Sequence, residues 1–216
     1  MKKLKYIFLL AGALSLASCE SWLDEDPQYT INTKTQFSTV ENARQALMGC
    51  YGYMSADNAY GQAWQEVTFG YCGFGWSQTN GSSTDLLVSM DGGIDETINT
   101  MAWRGMYKVI GETNAFIANI ADSPLESADK LPMEAAARFL RALAYYNLAV
   151  TYGDVPLKTT PSAHDGVAVP RSPKNEVFEL VRTDWEFAYE NLPEKDDDGF
   201  ATKWAAKAYL GKIGRA

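Results

Sequence analysis

Two stretches of this chain repeat apolar residues at alternating spacings of three and four, a period that α-helices produce and strands do not. Val40, Ala43, Leu47, Cys50 and Met54 form one stripe; Phe178, Val181, Trp185, Ala188 and Leu192 form the other. Between them, Trp103, Met106, Ile110, Asn114, Ile117 and Ala121 share a face of a helix that begins near Thr97. Ala142, Tyr146 and Ala149 share a face of another, expected from about Met133 to Tyr152. Each stripe is apolar on one side only, so each helix must bury that side against a neighbour. The expectation is an all-α fold of helical hairpins.

The ends of these helices follow from local chemistry. Ser38-Thr39-Val40-Glu41 has the form of a capping box, with Ser38 as N-cap and Glu41 reaching back. Asn114 is the polar exception on its stripe; a buried amide needs partners, and the expected use is to tie down a neighbouring loop. Ser123 to Pro132 is expected as a connector, followed by a favourable Glu134–Arg138 pair one helical turn apart. Gly153 fits the position after a helix end, and Pro156 prevents continuation. Pro156, Pro161, Pro170 and Pro173 mark residues 153–173 as a loop, with Ser172-Pro173 expected to start the next helix. An acidic turn, Asp196-Asp197-Asp198-Gly199, precedes a last helix near Thr202. Ala205, Ala208, Tyr209 and Ile213 still present an apolar face where the chain ends at Ala216, so a fragment of a longer protein is expected. Ala142-x3-Tyr146-x2-Ala149 resembles the Ala, aromatic, Ala pattern of a tetratricopeptide second helix, though residues 153–173 stretch the period far beyond about 34 residues.

Charge narrows the function. The net charge of −8 argues against nucleic acid, whose phosphates demand clustered Lys and Arg. A single histidine excludes chemistry that needs a His pair, such as the zinc motif H-E-x-x-H. The N-terminus reads as an export signal. Lys2, Lys3 and Lys5 precede an uncharged apolar run, Tyr6 to Leu14, that is too short for a membrane span. Leu16-Ala17-Ser18-Cys19 follows, and small residues ending on cysteine resemble a bacterial lipobox, which would make Cys19 the lipidated first residue of the mature chain. Losing residues 1–18 removes three lysines and takes the net charge from −8 to −11. Such a chain is repelled by anionic phospholipid, so membrane attachment falls to the lipid. Cys50, on an apolar stripe, is expected as a buried free thiol; whether it pairs with Cys72 is left open.

Residues 58–84 break the helical period and are expected as a long irregular insert. Their only charge is Glu66. Tyr60, Trp64, Phe69, Tyr71, Phe74 and Trp76 crowd among five glycines, with Gln62, Gln65, Gln78, Asn80, Ser82 and Ser83 supplying amides and hydroxyls. This composition suits a neutral, hydroxyl-rich ligand: a sugar lays its C–H face on an aromatic ring while its rim hydrogen-bonds amides. Trp76 and Asn80 are the leading ligand contacts, because the polar run Ser77 to Gly81 belongs in solvent. Trp64 and Tyr71 fit packing or contact equally well. Phe69 and Phe74 are expected to pack.

Other constellations carry less. Glu194, Asp196, Asp198 and Gly199 resemble the start of a calcium loop, but Ala205 stands where a bidentate Glu would close it, so a solvated turn is expected. His164 is expected on the surface. No catalytic residue, metal or cofactor is assigned. An alternative is a surface glycoside hydrolase, which would need two carboxylates facing one sugar. A second is a helical-repeat scaffold that docks a protein partner through the aromatic loop.

Six segments in order are similar to the SusD/RagB family of outer-membrane nutrient-binding lipoproteins. They are Trp22-Leu23-Asp24 with Asp26-Pro27; Phe37 to Tyr51, including Ala46-Leu47-Met48-Gly49-Cys50-Tyr51; Trp103, Tyr107, Ile110 and Asn114; Arg141-Ala142 through Tyr152-Gly153-Asp154-Val155-Pro156-Leu157; Asp184 with Leu192-Pro193; and Thr202-Lys203 with Ala205-Ala206-Lys207. Phe200 departs from the pattern, where the family often has Arg, and puts a local turn contact in doubt. The resemblance implies a lipid-anchored, tetratricopeptide-like α-helical protein. Such a protein caps a SusC-like TonB-dependent transporter in the outer membrane and delivers oligosaccharides or other nutrients to it. The expected organisation is a signal peptide over residues 1–18, an N-terminal segment with the aromatic insert over 19–96, and incomplete helical repeats over 97–216.

Overall fold

A computed structural model of the chain describes residues 33–70, 72, 89–90, 97–161, 169–196 and 199–214. The helices are α1 Thr33–Gln36, α2 Val40–Ser55, α3 Ala63–Gly70, α4 Thr97–Ala121, α5 Ser127–Tyr152, α6 Lys174–Asn191 and α7 Lys203–Ile213. A π-helical turn, Asp57–Gly61, joins α2 to α3. The strands β1 Val155–Pro156 and β2 Arg171–Ser172 pair antiparallel, Val155 opposite Ser172, and close the base of the 153–173 loop. The described residues are thus predominantly α-helical, and consecutive helices stack: α4 on α5, α5 on α6, α6 on α7. This serial hairpin packing is the tetratricopeptide-like all-α architecture expected from the stripes. Residues Thr33–Ala216 form one compact unit.

The stripes bury as predicted, with corrections at the ends. Ala43, Leu47, Cys50 and Met54 of α2 are buried, but Val40 lies in the first turn and is exposed, as is Ala121 at the last position of α4, where the helix runs out past its partner. The N-cap is Thr39 rather than Ser38. Its φ of −133° and ψ of 154° let its hydroxyl accept from the Asn42 N–H at 3.2 Å. Ser38 instead donates to the Thr35 carbonyl, closing α1, and Glu41 accepts from Gln45 on its own helix. Part of the expected irregular insert is helical, because Ala63, Trp64, Val67 and Gly70 share a buried face of α3. The expected connector is also shorter: α5 starts at Ser127, with Pro132 inside it. A proline this close to the N-terminus removes one backbone bond, and the preceding turn is held by the Glu126 carbonyl, which accepts from the Asp129 and Lys130 N–H groups at 3.0 Å.

Gly153 ends α5 at φ 73°, a left-handed conformation that glycine adopts without a Cβ penalty. Ser172 does not cap α6. The acceptor for the Lys174 N–H is Asp154 Oδ1, 2.9 Å away, so the loop base and the helix start are one structure. On α7 the inward residues are Ala205, Ala206, Tyr209, Leu210 and Ile213, while Ala208 faces out. At the centre, Trp185 is fully buried among Phe139, Tyr146 and Tyr209, and its indole N–H donates to the Phe139 carbonyl. No helix among the described residues is long and apolar enough to cross a membrane.

Candidate functional site

Two polar arrangements stand out, and only one of them opens to solvent. The closed one is centred on Arg141, which donates Nε to Asp184 Oδ2 and Nη2 to Asp184 Oδ1, both at 2.8 Å. Its Nη1 donates to Asn114 Oδ1 at 2.9 Å, and the Asn114 amide donates in turn to the Lys158 and Thr160 carbonyls. Tyr145 fastens the same segment twice, donating to the Lys158 carbonyl and accepting from its N–H, while Tyr107 donates to the Pro156 carbonyl at 2.7 Å. Asn114 therefore ties down a loop, as its place on an apolar stripe predicts. Every member serves a neighbour in the fold, so this network orders the 153–161 segment and has no open face for a ligand.

The open arrangement is a groove of about 560 Å³ over α3, lined by Gln65, Glu66, Thr68, Phe69 and Cys72. Its apolar wall is Phe69, which is 53% exposed. That corrects the expectation that Phe69 packs. Gln65 donates its amide to the Tyr60 carbonyl at 2.6 Å, Gln62 donates to Glu66 Oε1 at 2.6 Å, and the Thr68 hydroxyl donates to the Trp64 carbonyl. The amides are thereby held in place along one helix edge, with free acceptor capacity on their oxygens.

The underside of α3 explains why these residues face out. Trp64 is only 7% exposed and packs edge-on against Tyr60, so it offers no open stacking face. The Tyr60 hydroxyl accepts from the Asn147 amide of α5 at 2.7 Å, and burial pushes that phenol above its ordinary pKa, keeping it neutral. The π turn rests on Gly105 of α4, where an added Cβ would stand 1.8 Å from the Asn58 carbonyl oxygen. Glycine is required at that crossing because backbone meets backbone. The helical period at Ala63, Trp64, Val67 and Gly70 is the signal that could have separated buried Trp64 from exposed Phe69. The expectations for Cys19, Tyr71, Phe74, Trp76, Asn80 and His164 lie outside the described residues.

Elsewhere, Phe200 resolves the doubt raised by the missing arginine. It stacks on Tyr51 at 4.8 Å between ring centroids, and the Arg44 guanidinium lies 4.5 Å over its ring, so the positive charge reaches the turn from α2. Arg44 also pairs with Asp196, whose other oxygen accepts from the Phe200 N–H. No group of three or more potential metal ligands occurs among the described residues. Cys50 and Cys72 are free, the first buried and the second exposed.

Comparison with known proteins places this geometry. A SusD-like family profile, described as starch-binding and associating with the outer membrane, matches residues 21–214. SusD-like protein P25 of Formosa agariphila is 26% identical over 222 residues, which cover 96% of this chain and 41% of that relative. A solved structure with xylogluco-oligosaccharide is 25% identical, with a TM-score of 0.70 over 79% of this chain and 34% of that one. A laminarin-binding SusD-like protein is alike in fold, with a TM-score of 0.69 at 24% identity, covering 82% of this chain and 40% of that one. The chain thus spans well under half the length of the proteins it matches, but the profile runs along nearly all of it and the helical stack agrees. The chain belongs to the SusD-like family.

Proposed function

We propose that the protein binds glycans at the cell surface and passes them to a SusC-like TonB-dependent transporter, held to the outer membrane by a lipid on Cys19. The observation that carries the binding reading is the groove over α3, where an exposed Phe69 ring stands beside a row of amide, hydroxyl and carboxylate groups. A sugar ring laid on Phe69 would bury its C–H face and turn its hydroxyls toward Gln65, Glu66 and Thr68. Tyr71, Trp76 and Asn80 follow directly in sequence and extend the same chemistry, with Trp76 as a second stacking ring and Asn80 as a rim amide. The xylogluco-oligosaccharide named with one similar structure and the laminarin binding named for the other support a glycan over a peptide.

Binding without hydrolysis is the preferred reading. Glycosidases place two carboxyl groups about 5–9.5 Å apart across the scissile bond. The described lining of the groove contributes one, Glu66. The test is calorimetry of the full-length mature protein with xylogluco-oligosaccharide, laminarin and other neutral glycans. Phe69→Ala and Trp76→Ala are each expected to weaken binding about tenfold, or about 1.4 kcal/mol, with little change in melting midpoint for Phe69→Ala because that ring is exposed. Reducing ends should not accumulate in the same mixtures. Unchanged affinity in both variants would move the site away from this segment.

A further inference from the structure

The donors of the groove are spent inside its own helix. Gln65, Thr68, Phe69 and Cys72 follow one another at helical spacing and line one outward edge of α3 and the turn after it. The Thr68 hydroxyl has a single proton, and backbone takes it: the Trp64 carbonyl stands at 2.9 Å and the Gln65 carbonyl at 3.1 Å. The Cys72 thiol donates to the Phe69 carbonyl at 2.8 Å. One N–H of the Gln65 amide is held by the Tyr60 carbonyl at 2.6 Å. What these side chains still offer is lone pairs, on Gln65 Oε1, on Thr68 Oγ1 and weakly on Cys72 Sγ. Glu66 accepts from Gln62 and, as a carboxylate, adds no donor. The groove also lies toward the C-terminal end of α3, where the last carbonyls of a helix have no intrahelical N–H. Among the described lining side chains, the second N–H of Gln65 is the only donor without a bond to the protein.

We propose that this groove selects glycans by their free hydroxyls: a sugar is held when it donates O–H to Gln65 Oε1 and Thr68 Oγ1, and is rejected when those hydroxyls are O-acetylated. This rests on the glycan-binding reading and names the class of glycan, one with unesterified hydroxyls. An ester oxygen carries lone pairs and no proton, so opposite Gln65 and Thr68 it sets acceptor against acceptor. The protein oxygens then lose water without gaining a partner, and a site built around a substrate hydroxyl turns away an analogue that lacks it. Both oxygens are fixed before a ligand arrives, Thr68 by the carbonyls of its own helix and Gln65 by Tyr60. Neither side chain can turn to present a donor without breaking its bond to the backbone. The exposed Phe69 ring gives stacking area to both forms of the sugar, so discrimination falls to the polar edge.

The experiment is calorimetry of the full-length mature protein with xylogluco-, xylo- and laminari-oligosaccharides, each in an O-acetylated form and after alkaline removal of the esters. Wild type should bind the deacetylated member of a pair at least about tenfold tighter. Thr68→Val keeps the shape of the side chain and removes its oxygen, and Gln65→Leu does the same for the amide. Each should shrink that ratio at least about threefold, by weakening the deacetylated member and sparing the acetylated one. A residue serving only the helix would move the melting midpoint and leave the ratio unchanged, and simple crowding by the acetyl group would persist in both variants. Equal binding of both members by wild type, or a ratio that neither variant changes, would overturn selection by free hydroxyls and leave glycan binding standing. Failure of wild type to bind any of the oligosaccharides in either form would overturn the glycan reading and this inference together.

Discussion

Asp184 is expected to be the most costly single polar residue to remove. It has no solvent exposure, accepts two bonds from Arg141 at 2.8 Å, and lies 3.6 Å from Arg138 Nη1. Arg141 is itself only 5% exposed, so in Asp184→Ala its charge would remain buried with the Asn114 oxygen as its described partner. Removing one member of a buried, hydrogen-bonded pair costs about 3–5 kcal/mol, because the surviving charge loses its compensation. Asp184→Asn preserves shape and one acceptor, and about 2 kcal/mol is expected. Removing both charges in Arg141→Met/Asp184→Leu should cost less than Asp184→Ala, since no charge is left stranded. Against a total stability of about 5–15 kcal/mol, these differences are large. Urea denaturation of the full-length mature protein, followed by circular dichroism, separates them through midpoints at constant slope. Hydrogen exchange adds a second readout: the Lys158 amide, bonded to Tyr145 beside Asn114, should lose protection in Asp184→Ala. An Asp184→Ala cost below about 1 kcal/mol, or a double variant as unstable as the sum of its parts, would refute this account of the network.

Three further outcomes are expected. Gly105→Ala gains about 1 kcal/mol of helix propensity but must move the Asn58 carbonyl from 1.8 Å to ordinary contact, at about 1–3 kcal/mol, so the urea midpoint should fall and glycan affinity with it as α3 shifts; an unchanged midpoint would show that the turn yields freely. Burial raises Cys50 from 9.0 to about 12 and Tyr51 from 10.0 to about 12. Their folded-state values are raised, so the stability they contribute is complete below about pH 9 and is lost as pH climbs toward 12; an alkaline titration read by circular dichroism checks this, and peptide mapping after maleimide treatment at neutral pH should find Cys72 labelled well before Cys50. Cys19→Ala should transfer the full-length protein from the membrane pellet to the soluble fraction, and retention in the pellet would remove the lipid anchor from the proposal.

The presence of the main helices and their inward faces was legible in the sequence, because a helix repeats every 3.6 residues whatever it packs on. Leu47, Ile110, Ala142 and Trp185 are buried where their stripes put them. The family was legible as well, since ordered motifs such as Arg141-Ala142 and Gly153-Asp154-Val155-Pro156 build the network that fastens the loop. Partner selection was not legible, because competing local donors and acceptors are chosen across the fold. Ser38 and Thr39 could both cap α2, and closure of α1 by Ser38 left the role to Thr39. Ser172 stands beside the start of α6, yet Asp154 takes its first N–H because strand pairing brings the two ends of the loop together. The groove was decided at the same level. Trp64 and Phe69 are both large aromatics on a short helix, and composition cannot say which one is covered. Gly105 lets the π turn settle against α4, Asn147 holds Tyr60 from α5, and the resulting roll of α3 sends Trp64 into the core and Phe69 to the surface. Those contacts join residues far apart in the chain: the local period puts Trp64 and Phe69 on different faces of α3, and the packed structure fixes how deeply each face is covered.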